Sequence, residues 1–191
     1  MRVNRSVWWE EVDIALVKFL NENVFYKRGS IEKPVPVHFY PIREEQIIKE
    51  GLRPGIAIQH IKATFDSDRY TDEEVVAKVE DGIAYIESCA KPYTLQYQIE
   101  LISDYQSDLN YMTRCWHSAT GRRFLLDVED AEGTKRKSYV WVERQVNNTV
   151  LIETEERLFR SIILINVQVE LDEGNVRLEQ IVSIPPNIQF N

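Results

Sequence analysis

Glycine, cysteine and histidine are all scarce in this chain, and each scarcity closes off a kind of chemistry. Only seven of 191 residues are glycine, and none of them forms Gly-x-Gly-x-x-Gly, Gly-x-x-x-x-Gly-Lys or Gly-x-Ser-x-Gly. A phosphate-cradling loop and a nucleophile elbow are therefore not expected. The three histidines, His38, His60 and His117, fall on different predicted elements with no second ligand at short spacing. The two cysteines, Cys89 and Cys115, are too far apart for a Cys-x-x-Cys pair. No metal site is expected from such a set. Asp66-Ser67-Asp68 with Asp72 has a faint likeness to a calcium loop, but the central glycine and the closing glutamate spacing are missing. Paired carboxylates such as Glu73/Glu74 and Glu155/Glu156 read as solvated surface. No catalytic residue or cofactor is assigned, and the chain is read as something other than an enzyme.

Long apolar runs are absent too. No stretch approaches the ~20 apolar residues of a membrane helix, so no membrane partner is expected. Arg2 and Arg5 are followed by Glu10, Glu11 and Asp13 rather than by an apolar segment, unlike a signal peptide. The reading is a cytosolic chain with both thiols free. A net charge of −8 argues against a general duplex-binding surface, which needs clustered Lys and Arg, and no sequence-specific nucleic acid is expected.

What is present is periodicity. Residues 6–26 carry Trp8, Val12, Ala15, Leu16, Phe19, Leu20 and Val24 at spacings of three and four, which predicts a helix capped by Ser6 and stopped by Gly29-Ser30. Residues 35–42 read as a short strand that Pro34, Pro36 and Pro41 push to a sheet edge. Residues 55–65 read as a strand with Ile56, Ile58 and His60 on one face. The acidic stretch 66–78 reads as a loop. From Tyr93 to Tyr105 apolar and polar residues alternate, predicting a long strand with one wet face. Spacing then turns helical near 107–118, with Leu109, Met112 and Trp116 on one face, Ser107 or Asp108 as cap and Gly121 just past the end.

Strands are expected at 124–128, 138–144 and 149–154, with a turn at Asn147-Asn148, and a long one at 163–171. Val176, Leu178, Val182 and Ile184 are expected to close the sheet. The predicted fold is α+β: one domain over residues 1–191, a mainly antiparallel sheet with long strands packed by an N-terminal helix and a second helix, and a short C-terminal arm at 185–191. Whether the strand–helix–strand unit at 93–128 is a parallel crossover stays open.

Three features read as contact surface. The stretch from Glu129 to Lys137 has an acidic start and a basic end, Lys135, Arg136 and Lys137, suited to head-to-tail pairing of copies. Tyr111 and Arg114 face away from the apolar stripe of the second helix, and both residue types are enriched at interface centres. The arm offers Ile188 and Phe190 at alternate positions after Pro185-Pro186, a pattern that can add to a sheet edge or fill a groove.

The order of these elements resembles a known family. Lys91-Pro92-Tyr93-x-Leu95-x-Tyr97-x-Ile99-x-Leu101 leads into a short helix, a meander follows, and Glu156-Arg157-Leu158-Phe159-Arg160 opens a long alternating strand. Across residues 92–171 this is similar to the tail terminator, or neck (proximal tail sheath stabilisation), proteins of contractile-tailed bacteriophages. The resemblance implies a virion protein in the tail neck, assembled in the host cytoplasm. It implies a homo-oligomer, a hexameric ring, closing the head-proximal end of the tail tube. It also implies contacts with the tube, the sheath and the head-completion proteins, with no cofactor. A baseplate or head–tail adaptor part, or a small enzyme with a dispersed site, are the competing readings.

Overall fold

The computed structural model describes residues 9–39, 53–70, 74–80, 83–88, 91–129, 133, 135–151, 157–171 and 176–180. The fold is α+β. Its centre is one antiparallel pair, β7 (Lys91–Ser103) and β10 (Arg157–Leu171), in register from Lys91↔Leu171 to Ser103↔Phe159. Period-two patterning puts Leu95, Tyr97, Ile99 and Leu101 on the same face as their partners Val167, Ile165, Ile163 and Ser161. All eight are buried.

The sheet grows outward from this pair. β4 (Gly55–Phe65) flanks β7 and sets Ile58 against Ile99. β9 (Lys135–Leu151) flanks β10, and β8 (Arg123–Glu129) closes that side. At the other edge β3 (Val37–Phe39) pairs in parallel with the start of β4. The order among the described strands is β3-β4-β7-β10-β9-β8. The proline-flanked strand sits at the edge, where its missing donors leave no gap in the ladder. This one parallel pair makes the sheet mixed; its other pairings are antiparallel, as expected.

Both helices lie against the apolar face. In α1 (Trp9–Asn23) Val12, Ala15, Leu16 and Leu20 are buried, spaced as one helical stripe. Helix α2 (Gln106–Thr120) buries Leu109, Met112 and Trp116. The two helices and β8 meet in an aromatic knot. Phe19 stacks on Phe124 at 4.8 Å between centroids, and Trp116 meets both edge-on.

Several local expectations change. Helix α1 ends at Asn23, not Tyr26, because Phe25–Arg28 (β1) pairs with Ile31–Pro34 (β2) in a hairpin turned by Gly29-Ser30. Gly29 has φ +64°, which only glycine adopts at no steric cost. Ser6 lies outside the described residues. Helix α2 starts from Tyr105, with no side-chain cap. Neither Ser107 nor Asp108 caps it. Asp108 is instead buried in the first turn, 3.9 Å from Arg28, where a negative charge suits the helix dipole. Gly121 does end the helix, at φ +55°, its N–H bonded to the carbonyl of His117 at 3.2 Å.

The larger corrections concern strand length. Asn147-Asn148 does not turn the chain. β9 runs unbroken to Leu151 because β10 is long enough to pair with it from Tyr139 to Leu151, and the mismatch is taken up by a bulge at Glu143. Part of the expected acidic loop is strand. β5 (Glu74–Glu80) pairs with β6 (Ile83–Ser88), and Asp81-Gly82 falls between them. β11 (Val176–Gln180) joins β6, not the main sheet. Among the described strands β5, β6 and β11 form a sheet of their own. Val182 and Ile184 lie outside the described residues. The 93–128 unit is no parallel crossover, since β10 and β9 lie between β7 and β8, and three antiparallel steps leave the two strands running opposite ways.

The central pair sets the expected energetics. Ile99→Ala should lower unfolding free energy by roughly 2–5 kcal/mol, since Ile99 is fully buried between Ile58 and Ile163. Ile14→Ala, at 67% exposure, should change it by less than about 0.5 kcal/mol. Urea denaturation of both variants measures the contrast, and equal losses would contradict this placement of the core.

Candidate functional site

The sheet has a second face, free of the two helices, and its centre carries a fixed polar layer. Glu100 on β7 accepts from Gln98 at 2.5 Å and from Arg160 on β10 at 2.6 and 3.1 Å. Glu143, the bulge residue of β9, accepts from Gln96 at 2.6 Å and from Asn166 at 2.8 Å. Those bonds, the one from Asn166 first, hold the Glu143 carboxyl below the usual carboxylate range. Side chains on three strands are thus pinned to one another. A face whose rotamers are already fixed loses little entropy when something docks on it. Beside this layer Leu125 and Tyr139, cross-strand partners, are 52% and 40% exposed. The polar positions 94, 96, 98 and 100 were legible as the wet side of β7. Their partners Arg160 and Glu143 were not, because pairing register is not written in either strand alone.

Lys135, Arg136 and Lys137 do not sit in a loop; they begin β9. Register sets Lys135 opposite Glu129 and Lys137 opposite Asp127. The acidic and basic ends of this stretch therefore face each other within one chain, which stabilises the hairpin. One cleft of about 220 Å³ at the sheet's end draws Arg136 and Lys137 together with Arg69, a residue the sequence reading passed over.

Tyr111 is engaged inside the chain. Its hydroxyl donates to Glu32 at 2.8 Å, and Lys27 lies 5.9 Å over its ring, tying α2 to the β1–β2 hairpin. The bond to Glu32 is the main reason its phenol is shifted up. Arg114 is exposed and borders two shallow clefts beside α2, one with Tyr111 and Lys27, the other with His117 and Asn147. The structure thus brings Tyr111 and Arg114 together and places Lys135–Lys137 elsewhere. Ile188 and Phe190 lie outside the described residues.

The three histidines are scattered. His38 is on the edge strand and His117 is exposed in the last turn of α2. His60 lies between the rings of Trp9 at 5.2 Å and Tyr97 at 5.0 Å. Tyr97 donates its hydroxyl to Asp13 of α1 at 2.7 Å. Burial is the chief cause of the upward shift of both groups, opposed at Asp13 by the bond from Tyr97. Asp13 belongs to the same helical row as Leu16 and Leu20, the one sign in the sequence that an acid would be drawn inward. None of these three clefts is lined by Asp13, His60 or Tyr97. The cluster fastens α1 to the centre of the sheet.

Among the described residues no three His, Cys, Asp or Glu side chains gather as metal ligands, and no helix is long and apolar enough to cross a membrane. Cys115 is a free, half-buried thiol, and Cys89 lies outside the described residues. No protein-family model matches the sequence, and no curated protein matches it.

The Asp13–Tyr97 bond predicts a pH signature. A carboxyl whose folded pKa is raised contributes stability at low pH, and that contribution fades as pH rises through the folded value. Asp13→Asn keeps an acceptor for Tyr97 and removes the charge. The stability of wild type relative to Asp13→Asn should fall from pH 3 to pH 7, measured by urea midpoints. A difference that stays flat over that range would contradict the assignment.

Proposed function

We propose that this chain is a structural assembly component, a ring-forming connector of the tail-terminator or neck kind in a contractile-tailed phage. The observation that carries the reading is the helix-free face of the six-stranded sheet. It combines a cross-bonded layer, Gln96–Glu143–Asn166 and Gln98–Glu100–Arg160, with the exposed pair Leu125 and Tyr139. Lateral bonding of this kind rigidifies a surface without creating a reactive centre. A reactive centre needs a base, a nucleophile and charge-stabilising donors converging on a space for substrate. The two clefts beside α2 are open and lined mainly by exposed or half-buried residues instead.

An open sheet edge adds to the case. Of the eleven residues of β4, only Ile56–Ile58 pair with β3, so Gln59–Phe65 has an unpaired side among the described strands. Free ladder edges invite pairing with another chain. The resemblance over residues 92–171 supplies the ring and its neighbours, namely tube, sheath and head-completion proteins.

Native mass spectrometry of the purified chain across a concentration series, with negative-stain images of the largest species, tests the reading. Closed rings of one subunit number are expected. A monomer at every concentration that also fails to bind tail tubes would contradict it.

A further inference from the structure

β8 is the last strand of the six-stranded sheet, so the outer side of its ladder, Arg123–Glu129, has no partner among the described strands. A row of open N–H and C=O groups is a template for another strand. Prolines, lysines and bulges commonly guard such a row. β8 has none of them, and its register with β9 is unbroken from end to end. There is also room beside it. A groove of about 720 Å³ lies between this edge and α1, lined by Leu125, Leu126 and Asp127 on one side and by Ile14 and Lys18 on the other. Leu125 and Ile14 are both exposed.

We propose that the free chain forms a two-fold pair in which β8 of one copy lies antiparallel to β8 of the other, joining two six-stranded sheets edge to edge. The strand is complementary to itself in the register that uses its whole length. Centred on Leu126, that register sets Arg123 opposite Glu129 at both ends, Phe124 opposite Val128 twice, and Leu126 opposite its own copy. Opposite-charge and aromatic–β-branched rungs are the favourable kinds. A slip by one residue would oppose side chains from different faces of the sheet and shorten the ladder. Within the chain Asp127 already faces Lys137 and Glu129 faces Lys135, whereas Arg123 stands opposite Trp141. The backbone ladder therefore carries the contact, and the end charges fix its register. The two-fold keeps both α1 helices on one side of the joined sheet, each with Ile14 beside the groove. The inference does not rest on the assembly reading, since such a pair stands whether or not pairs go on to larger species.

Arg123→Glu, Glu129→Arg and the variant carrying both test it, by sedimentation velocity over a concentration series at fixed salt. Positions 123 and 129 lie about 20 Å apart along one strand, too far to meet within one copy. Each single variant sets like charges against each other at both ends of the ladder and should raise the dimer Kd about tenfold. The double variant restores opposite charges at both ends and should return to within about twofold of wild type. That recovery is specific to β8 facing its own copy in this register, and it shows that the substitutions do not act by unfolding the chain. Wild type that stays monomeric, single variants that pair like wild type, or a double variant no better than the singles would each overturn the inference. Closed rings that form without this rescue would leave the assembly reading standing.

Discussion

The pairing of β7 with β10 is the constraint on which the rest of the molecule depends. One run of rungs, Lys91↔Leu171 to Ser103↔Phe159, fixes the level of the other strands of the six-stranded sheet. It also decides which residues are inside. A slip of one residue would turn Ile99 and Ile163 out to solvent and bring Gln98 and Leu164 inward. The apolar rows on both strands make such a slip costly, since each buried aliphatic side chain is worth roughly 1.5–3 kcal/mol. With the register held, β4 and β9 add on either side, and the two helices find one continuous apolar floor.

The same register builds the other face. Gln96, Gln98 and Glu100 stand on the polar side of β7 because their neighbours stand on the apolar side. Arg160, Asn166 and the bulged Glu143 then come within hydrogen-bonding distance. Core and polar layer are two consequences of one alignment. A sheet closed on one side by helices and rigidified on the other is a good platform and a poor pocket. That contrast is what the proposed assembly role rests on. The Asp13–Tyr97 bond belongs to the platform too, since it joins α1 to the middle of the sheet from beneath.

Much of this was legible in the sequence. The alternation at 93–105 and 163–171, the helical stripes and the proline-flanked edge strand each carry their own periodicity, and each took its expected place. What was not legible depends on partners far away in the chain. Asn147-Asn148 reads as a turn locally, yet a long neighbour keeps it in a strand. Tyr26 continues the helical stripe, yet Gly29 offers a hairpin that uses it better. Val75, Val76 and Val79 were hidden among acids, so β5 read as a loop. The candidate contact residues divide in the same way. Arg136 and Lys137 were visible as a basic run, but Arg69 reaches their cleft only through the fold, and Tyr111 was already taken by Glu32.

Hydrogen–deuterium exchange, compared between dilute and concentrated protein, probes the central claim most directly. The account predicts that amides of β7 and β10 exchange slowest in both samples. Concentration should then add protection at the β8–β9 hairpin and along the open edge of β4. Exchange that is identical at both concentrations, or fastest in β7 and β10, would contradict it.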